Sequence, residues 1–182
     1  MARYKKGFDC RDAKKHLAKV DKSMAIWMNK IGSIEHAMDW RKSFDVVDAL
    51  ARAILYQQLN GKAAATIVTR VEIAIQSKRL HGSAFSAGEI PTTRQLQYMS
   101  NQQIIDVLVP TRGIGIWTVE MMLMFRLGRP DVLPVDDFGI RKGLHVLDQL
   151  SEMPTSKELK VRGEIWSPYQ TMASLYLWRI AD

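Results

Sequence analysis

The stretch Asn101–Leu150, NQQIIDVLVPTRGIGIWTVEMMLMFRLGRPDVLPVDDFGIRKGLHVLDQL, decides the fold. Ser100 and Gln103 stand at its head with capping-box spacing, and Ile104, Ile105 and Leu108 give an apolar helical face before Pro110 ends the helix. Gly113-Ile114-Gly115 then brackets one apolar residue with glycines, which permits positive φ and a close approach to the backbone amides. A second helix follows at once. From Trp117 to Leu127 it is nearly all apolar, the mark of a buried helix. Amides at its head, on the positive end of the helix dipole, suit a phosphate anion. The same spacing occurs in ordinary tight turns, so by itself it leaves a plain connection open.

After this second helix the chain breaks at Gly128-Arg129-Pro130, passes Leu133-Pro134 and reaches two adjacent carboxylates, Asp136 and Asp137. Ile140, Leu144 and Leu147 mark another helix beyond them. One aspartate at such a helix entry serves as an N-cap, worth about 1 kcal/mol. Two exceed what a single cap needs.

A helix, a glycine hairpin, a second helix, a Gly/Pro-rich loop and then an aspartate resemble the helix-hairpin-helix DNA glycosylase superfamily. RGIGIWTVEMMLMFRLGRPDVLPVDD and LPVDDFGIRKG are similar to its alkylbase branch, the 3-methyladenine DNA glycosylase II enzymes. ARAILYQQLNGKAAATI upstream and IWSPYQTMASLYLW downstream extend the resemblance over most of the chain after about residue 40. The segment between Gln76 and Met99 departs from it: QSKRLHGSAFSAGE stands where the family has roughly one more helical hairpin. Lys78, Arg79 and His81 form a short basic run there, readable as phosphate contacts or as a solvated turn.

The rest of the chain sets bounds. Its 182 residues, 47% apolar, support one domain or two lobes sharing a cleft. The formal charge of +7 points to a polyanionic partner, although basic proteins without one are common. A single cysteine, Cys10, excludes an internal disulfide, a four-cysteine zinc site and a cysteine-held iron–sulfur cluster. No apolar run has membrane-span length and the charged N-terminus shows no secretory signal, so an intracellular protein, in cytoplasm, nucleoid or nucleus, is expected. Asp12 to Ile31 reads as one amphipathic helix with Ala13, Leu17, Val20, Met24 and Met28 on a stripe. His16 and His36 have no partner at metal-ligand spacing and read as solvated or capping. Phe44 to Ile75 reads as helices broken near Asn60-Gly61, with Ala49, Ala53, Ile54 and Leu55 core-like.

The expected fold is therefore all-α. The resemblance implies a single glycosylase domain over residues 1–182, two helical lobes with the aspartate loop facing a cleft, the hairpin at about 101–127 and the catalytic loop at about 128–137. It implies a monomer acting on damaged duplex DNA with no membrane partner, excising alkylated purines after base flipping. A DNA-binding module without catalysis and a glycosylase for deaminated or oxidised bases are the alternatives. Asp137 is the implied catalytic carboxylate and Asp136 the runner-up. An alkylated purine is already cationic and leaves without an acid, so one carboxylate suffices to stabilise the oxocarbenium-like sugar and orient water. Trp117, Met121 and Trp178 match base-pocket positions, and an electron-rich tryptophan face attracts a cationic base. Gln57, Gln58 and Leu59 match the loop that fills the gap left by the flipped nucleotide, Gln58 being the inserted residue. Arg112, Gly113, Ile114, Gly115 and Thr118 are implied hairpin contacts to DNA. Trp117 stands where the lyase branch has its lysine, which implies a monofunctional enzyme. No organic cofactor is implied. A structural Na+ or K+ on the backbone carbonyls of Val109, Thr111 and Ile114 is.

Overall fold

A computed structural model describes residues 3, 4, 7–34, 40, 43–50, 90–111 and 113–182 of the chain. The described residues are helical, with no strand. Two compact units are formed, one from Met1–Lys5 and Arg41–Leu127, the other from Lys6–Trp40 and Gly128–Asp182. Among the described residues no helix is long and apolar enough to cross a membrane.

The second unit begins with α1 (Cys10–Val20), capped by Asp9, whose carboxylate accepts from the Arg11 amide at 2.8 Å. The single helix expected from Asp12 to Ile31 is two helices. Asp21 is extended, ends α1 and caps α2 (Lys22–Ile31) by accepting from the Met24 amide at 2.9 Å. An aspartate side chain competing for its own backbone amides breaks a helix that apolar periodicity alone would continue. Val20 leaves the predicted stripe and is 37% exposed, while Ala13, Leu17, Met24 and Met28 are buried. His16 also departs from the solvated reading: it is half-buried, with its ring 5.5 Å from that of Tyr169.

Asp21 is 5% exposed and gathers a charged network around itself. Its Oδ2 accepts from Trp166 Nε1 at 2.9 Å and from Arg162 Nη2 at 2.6 Å. Arg162 also reaches Asp148, Nε to Oδ2 at 2.7 Å and Nη2 to Oδ1 at 3.0 Å, in a bidentate fork. The network ties α1 and α2 to α6 (Phe138–Leu147), which Asp148 terminates, and to α7 (Ser156–Gly163), which carries Arg162. Burial by itself raises the Asp21 carboxyl, but the Met24 amide, the Trp166 indole and the Arg162 guanidinium outweigh it and hold the group below the ordinary carboxylate value.

The centre of this unit is α8 (Gln170–Ala181), whose residues from Thr171 to Leu177 are all buried. It packs against α6 at backbone distance. A Cβ at Gly143 would overlap the Leu177 carbonyl, so only glycine permits this crossing. The first turn of α8 also fastens the loop that precedes α6. The Thr171 hydroxyl donates to the Arg129 carbonyl at 2.6 Å and accepts from the Val132 amide at 3.1 Å.

In the first unit, residues 46–50 are helical, and Val46, Ala49 and Leu50 are buried. Next comes α3 (Thr93–Leu96), with a complete capping box between Thr92 and Gln95. The box read from the sequence at Ser100 and Gln103 is also complete, with amide-to-side-chain distances of 2.8 and 3.2 Å, and it opens α4 (Asn101–Leu108). Ile104 and Leu108 are buried and Ile105 half-buried. The second hairpin helix is shorter than expected. α5 (Ile116–Met122) passes at Leu123 into a π-helical turn that runs to Leu127.

Two stability outcomes follow. Gly143→Ala should destabilise the protein by about 3 kcal/mol, the upper range for overpacking, because the obstacle is a helix backbone that cannot rotate away; chemical denaturation reads it. Asp21 has a lowered folded pKa, so its contribution is fully present above the unfolded value of about 3.9 and is lost as pH falls through the folded value. Urea midpoints should drop below about pH 4, and Asp21→Asn should flatten that drop.

Candidate active site

The hairpin corner is built from the end of α4. Val109 keeps helical geometry, the Thr111 amide donates to the Leu108 carbonyl, and the Ile114 amide donates to the Thr111 carbonyl, both at 3.0 Å. Closing this turn places Gly113 at φ +89°, a value that favours glycine. Gly115 is different: its φ is −91° and it caps α5 with no side chain. The space where its Cβ would stand is open. Gly113, Gly115 and Ile116 are exposed, whereas Ile114 turns inward and is 4% exposed. The corner therefore shows backbone outward and keeps its one anchoring side chain inside.

Thr118 lies in the first turn of α5 and is fully buried, backbone and side chain alike, so it is not among the outward-facing groups of the corner. Trp117 and Met121, one turn apart on α5, are both half-buried. Gln57, Gln58, Leu59 and Arg112 lie outside the described residues, as do Ala53, Ile54, Leu55, His36 and the shortened run through Lys78, Arg79 and His81.

In the other unit, the Asp137 amide donates to the Pro134 carbonyl at 3.1 Å, turning the chain into α6. The adjacent carboxylates then part. Asp136 is exposed, and its Oδ1 accepts from the Ser156 hydroxyl at 2.6 Å. Asp137 is half-buried and is the N-cap of α6. Its Oδ1 accepts from the Ile140 amide at 2.9 Å and from Trp178 Nε1 at 2.8 Å. Trp178 is half-buried, and Phe138, beside Asp137, is 66% exposed. Three features escaped the sequence reading: Ser156 as a partner for Asp136, the indole-to-carboxylate bond, and Gly139 beneath both groups. The last left a trace. Glycine in the first turn of a helix lowers its propensity and marks a place where another group comes close.

Among the described residues no cluster of histidine, cysteine, aspartate and glutamate could hold a metal ion. The donors at Val109, Thr111 and Ile114 are neutral carbonyl oxygens, Val109 closing α4 and Ile114 directly preceding the N-cap of α5, and oxygen donors of this kind suit a hard monovalent cation. One lone pair of Thr111 is engaged by the Ile114 amide.

No protein-family model matches the chain. DNA-3-methyladenine glycosylase 1 of Schizosaccharomyces pombe is 31% identical over 193 residues, spanning 90% of this chain and 84% of that protein. A solved structure of the S. pombe 3-methyladenine DNA glycosylase in complex with abasic DNA matches with a TM-score of 0.75 and 29% identity, covering 92% of this chain and 95% of that one. The DNA-3-methyladenine glycosidase structure from Bacillus halodurans matches with a TM-score of 0.74 and 27% identity, covering 100% and 93%. A helical fold of this kind, with a glycine hairpin and an aspartate heading a helix, defines a helix-hairpin-helix protein. Within that class, the chain belongs to the DNA-3-methyladenine glycosylase family.

Because Asp137 caps α6, its substitutions differ in cost before any chemistry is considered. Asp137→Ala should lower the unfolding free energy by about 1 kcal/mol, while Asp137→Asn, which keeps an accepting oxygen, should leave it nearly unchanged. Thermal unfolding of the two variants reads the difference.

Proposed function

We propose that the protein is a monofunctional DNA repair glycosylase that hydrolyses the N-glycosidic bond of alkylated purines in duplex DNA, with Asp137 as its catalytic carboxylate. The observation that carries the assignment is the fixed carboxylate at the head of α6: two N–H groups, from Ile140 and Trp178, meet on Asp137 Oδ1. A carboxylate whose orientation is already fixed stabilises developing positive charge without reorganising during the reaction. Asp136 is the weaker candidate, since it sits on the exposed side of the loop with its Oδ1 turned to Ser156.

The substrate class follows from the site's economy. N3- and N7-alkylated purines carry positive charge and depart as neutral bases, so the enzyme supplies no acid. It supplies one anion for the sugar, a water held by that anion, and aromatic surface for a cationic base. Trp178 stands beside the carboxylate and offers such a surface; Trp117 and Met121 are the further base-pocket residues of this proposal. Trp117 leaves no amine at its position for a Schiff base.

The exposed corner at Gly113 and Gly115 takes the DNA backbone through its amides and those at the head of α5, and Arg112, the preceding residue in the sequence, is a further proposed contact. Gln57, Gln58 and Leu59 fill the space left by the flipped nucleotide. Val109, Thr111 and Ile114 would hold a Na+ or K+, which would supply positive charge beside that phosphate contact. The whole chain acts as one glycosylase domain and a monomer, and its partner is double-stranded DNA carrying alkylated bases.

Methylated duplex incubated with the protein should accumulate abasic sites, scored by alkaline strand cleavage. Asp137→Asn should slow their appearance by on the order of 10²–10³-fold while anisotropy still reports binding to an abasic duplex. Full release by Asp137→Asn together with loss in Asp136→Asn would move the role to Asp136. Binding by the unaltered protein without any abasic product would make it a DNA-binding module.

A further inference from the structure

Trp178 presents to Asp137 its N–H edge as well as a ring surface. The indole donates to Oδ1 at 2.8 Å, onto the same oxygen that the Ile140 amide reaches at 2.9 Å. A single capping bond leaves the carboxylate able to turn about its Cβ–Cγ axis. A second donor arriving from another helix stops that rotation.

The indole reaches this position because α6 lacks two side chains. A Cβ at Gly139 would stand 2.8 Å from Trp178 Cδ1, 3.1 Å from Trp178 Nε1 and 3.2 Å from Asp137 Oδ1. One turn later, Gly143 admits the Leu177 carbonyl. Gly139 and Gly143 are four residues apart and so share one face of α6, and they receive consecutive residues of α8. This bare face brings α8 down onto α6 at the level of the N-cap.

We propose that Trp178 is a positioning residue for Asp137, acting through its indole N–H, and that Gly139 is the specific position that admits it. The proposal rests on the reading of Asp137 as the catalytic carboxylate. The indole N–H sets the orientation of the anion that faces the sugar, so its loss slows the chemical step and leaves DNA affinity as it was. Surface offered to the base is a separate contribution of the same side chain.

The test is single-turnover base release from methylated duplex, read beside the Kd for a duplex bearing an abasic site. Trp178→Phe keeps an aromatic ring without the N–H, and a tryptophan isostere with sulfur in place of the indole N–H keeps shape and ring face as well. Both should lose about ten- to a hundredfold in rate with unchanged Kd. Gly139→Ala should lose a similar factor, and the double variant Gly139→Ala/Trp178→Phe should be no slower than Trp178→Phe alone, because no indole N–H bond then remains for the added methyl to break. Full rate in the isostere variant, or multiplying losses in the double variant, overturns the proposal. If Gly139→Ala fails to fold, the isostere variant alone decides. Asp137→Asn in the same series separates the two levels. Full release there removes the reading of Asp137 itself, whereas an inactive Asp137→Asn beside a fully active isostere variant removes only the positioning role.

Discussion

The backbone-distance contact between α6 and α8 is the constraint on which the unit carrying Asp137 depends. Gly143 accepts the Leu177 carbonyl where a methyl group would collide with it, and Gly139 does the same for the Trp178 indole. A looser crossing would still bury Ile140, Leu144 and Leu147, because apolar area is indifferent to an ångström of separation. It would carry the indole N–H out of reach of Asp137, because a hydrogen bond is not. The glycines thus exchange helix propensity for a geometry that larger residues forbid.

Around that contact, polar groups do the fastening. Thr171 pins the loop after Gly128 to the first turn of α8, and Arg162 joins Asp148 at the end of α6 to Asp21 between α1 and α2. Arg162 belongs to α7, the helix whose first residue, Ser156, takes up Asp136. Two neighbouring carboxylates with the same chemistry are thereby given different surroundings. One is tied to an exposed hydroxyl, the other is set under an indole at the head of a helix. That divergence separates the two candidates and is what favours Asp137 in the proposed assignment.

The chemistry asked of the site is small, which suits its composition. A cationic leaving group departs as a neutral base without a protonated acid. In the proposed function, binding and reaction fall to different physical features. An exposed backbone corner, opened by one glycine at positive φ and a second with no neighbour at its Cβ, suits the repeating phosphodiester whatever the sequence. A single oriented anion suits the sugar of the one nucleotide that leaves the stack.

Local chemistry was legible in the chain itself. The Ser100 box, the buried positions Ile104 and Leu108, the turn at Gly113 and a cap at one of the two adjacent aspartates all involve residues within four of one another, so spacing alone indicates them. The family's motifs lie in the same stretch, which is why the all-α fold and the glycosylase reading could be drawn from it. Where a polar side chain competes with the helix, periodicity misleads: Asp21 cut an apparently continuous helix in two, and the π turn after Met122 altered the phase of another. Only tertiary structure decided which aspartate lies beneath Trp178, why position 139 has no side chain, and where Arg162 finds its two carboxylates. Those partners stand 41, 39 and up to 141 positions apart, and no spacing rule spans such separations. They meet because the helices pack one way, and packing is set by the shapes of whole faces.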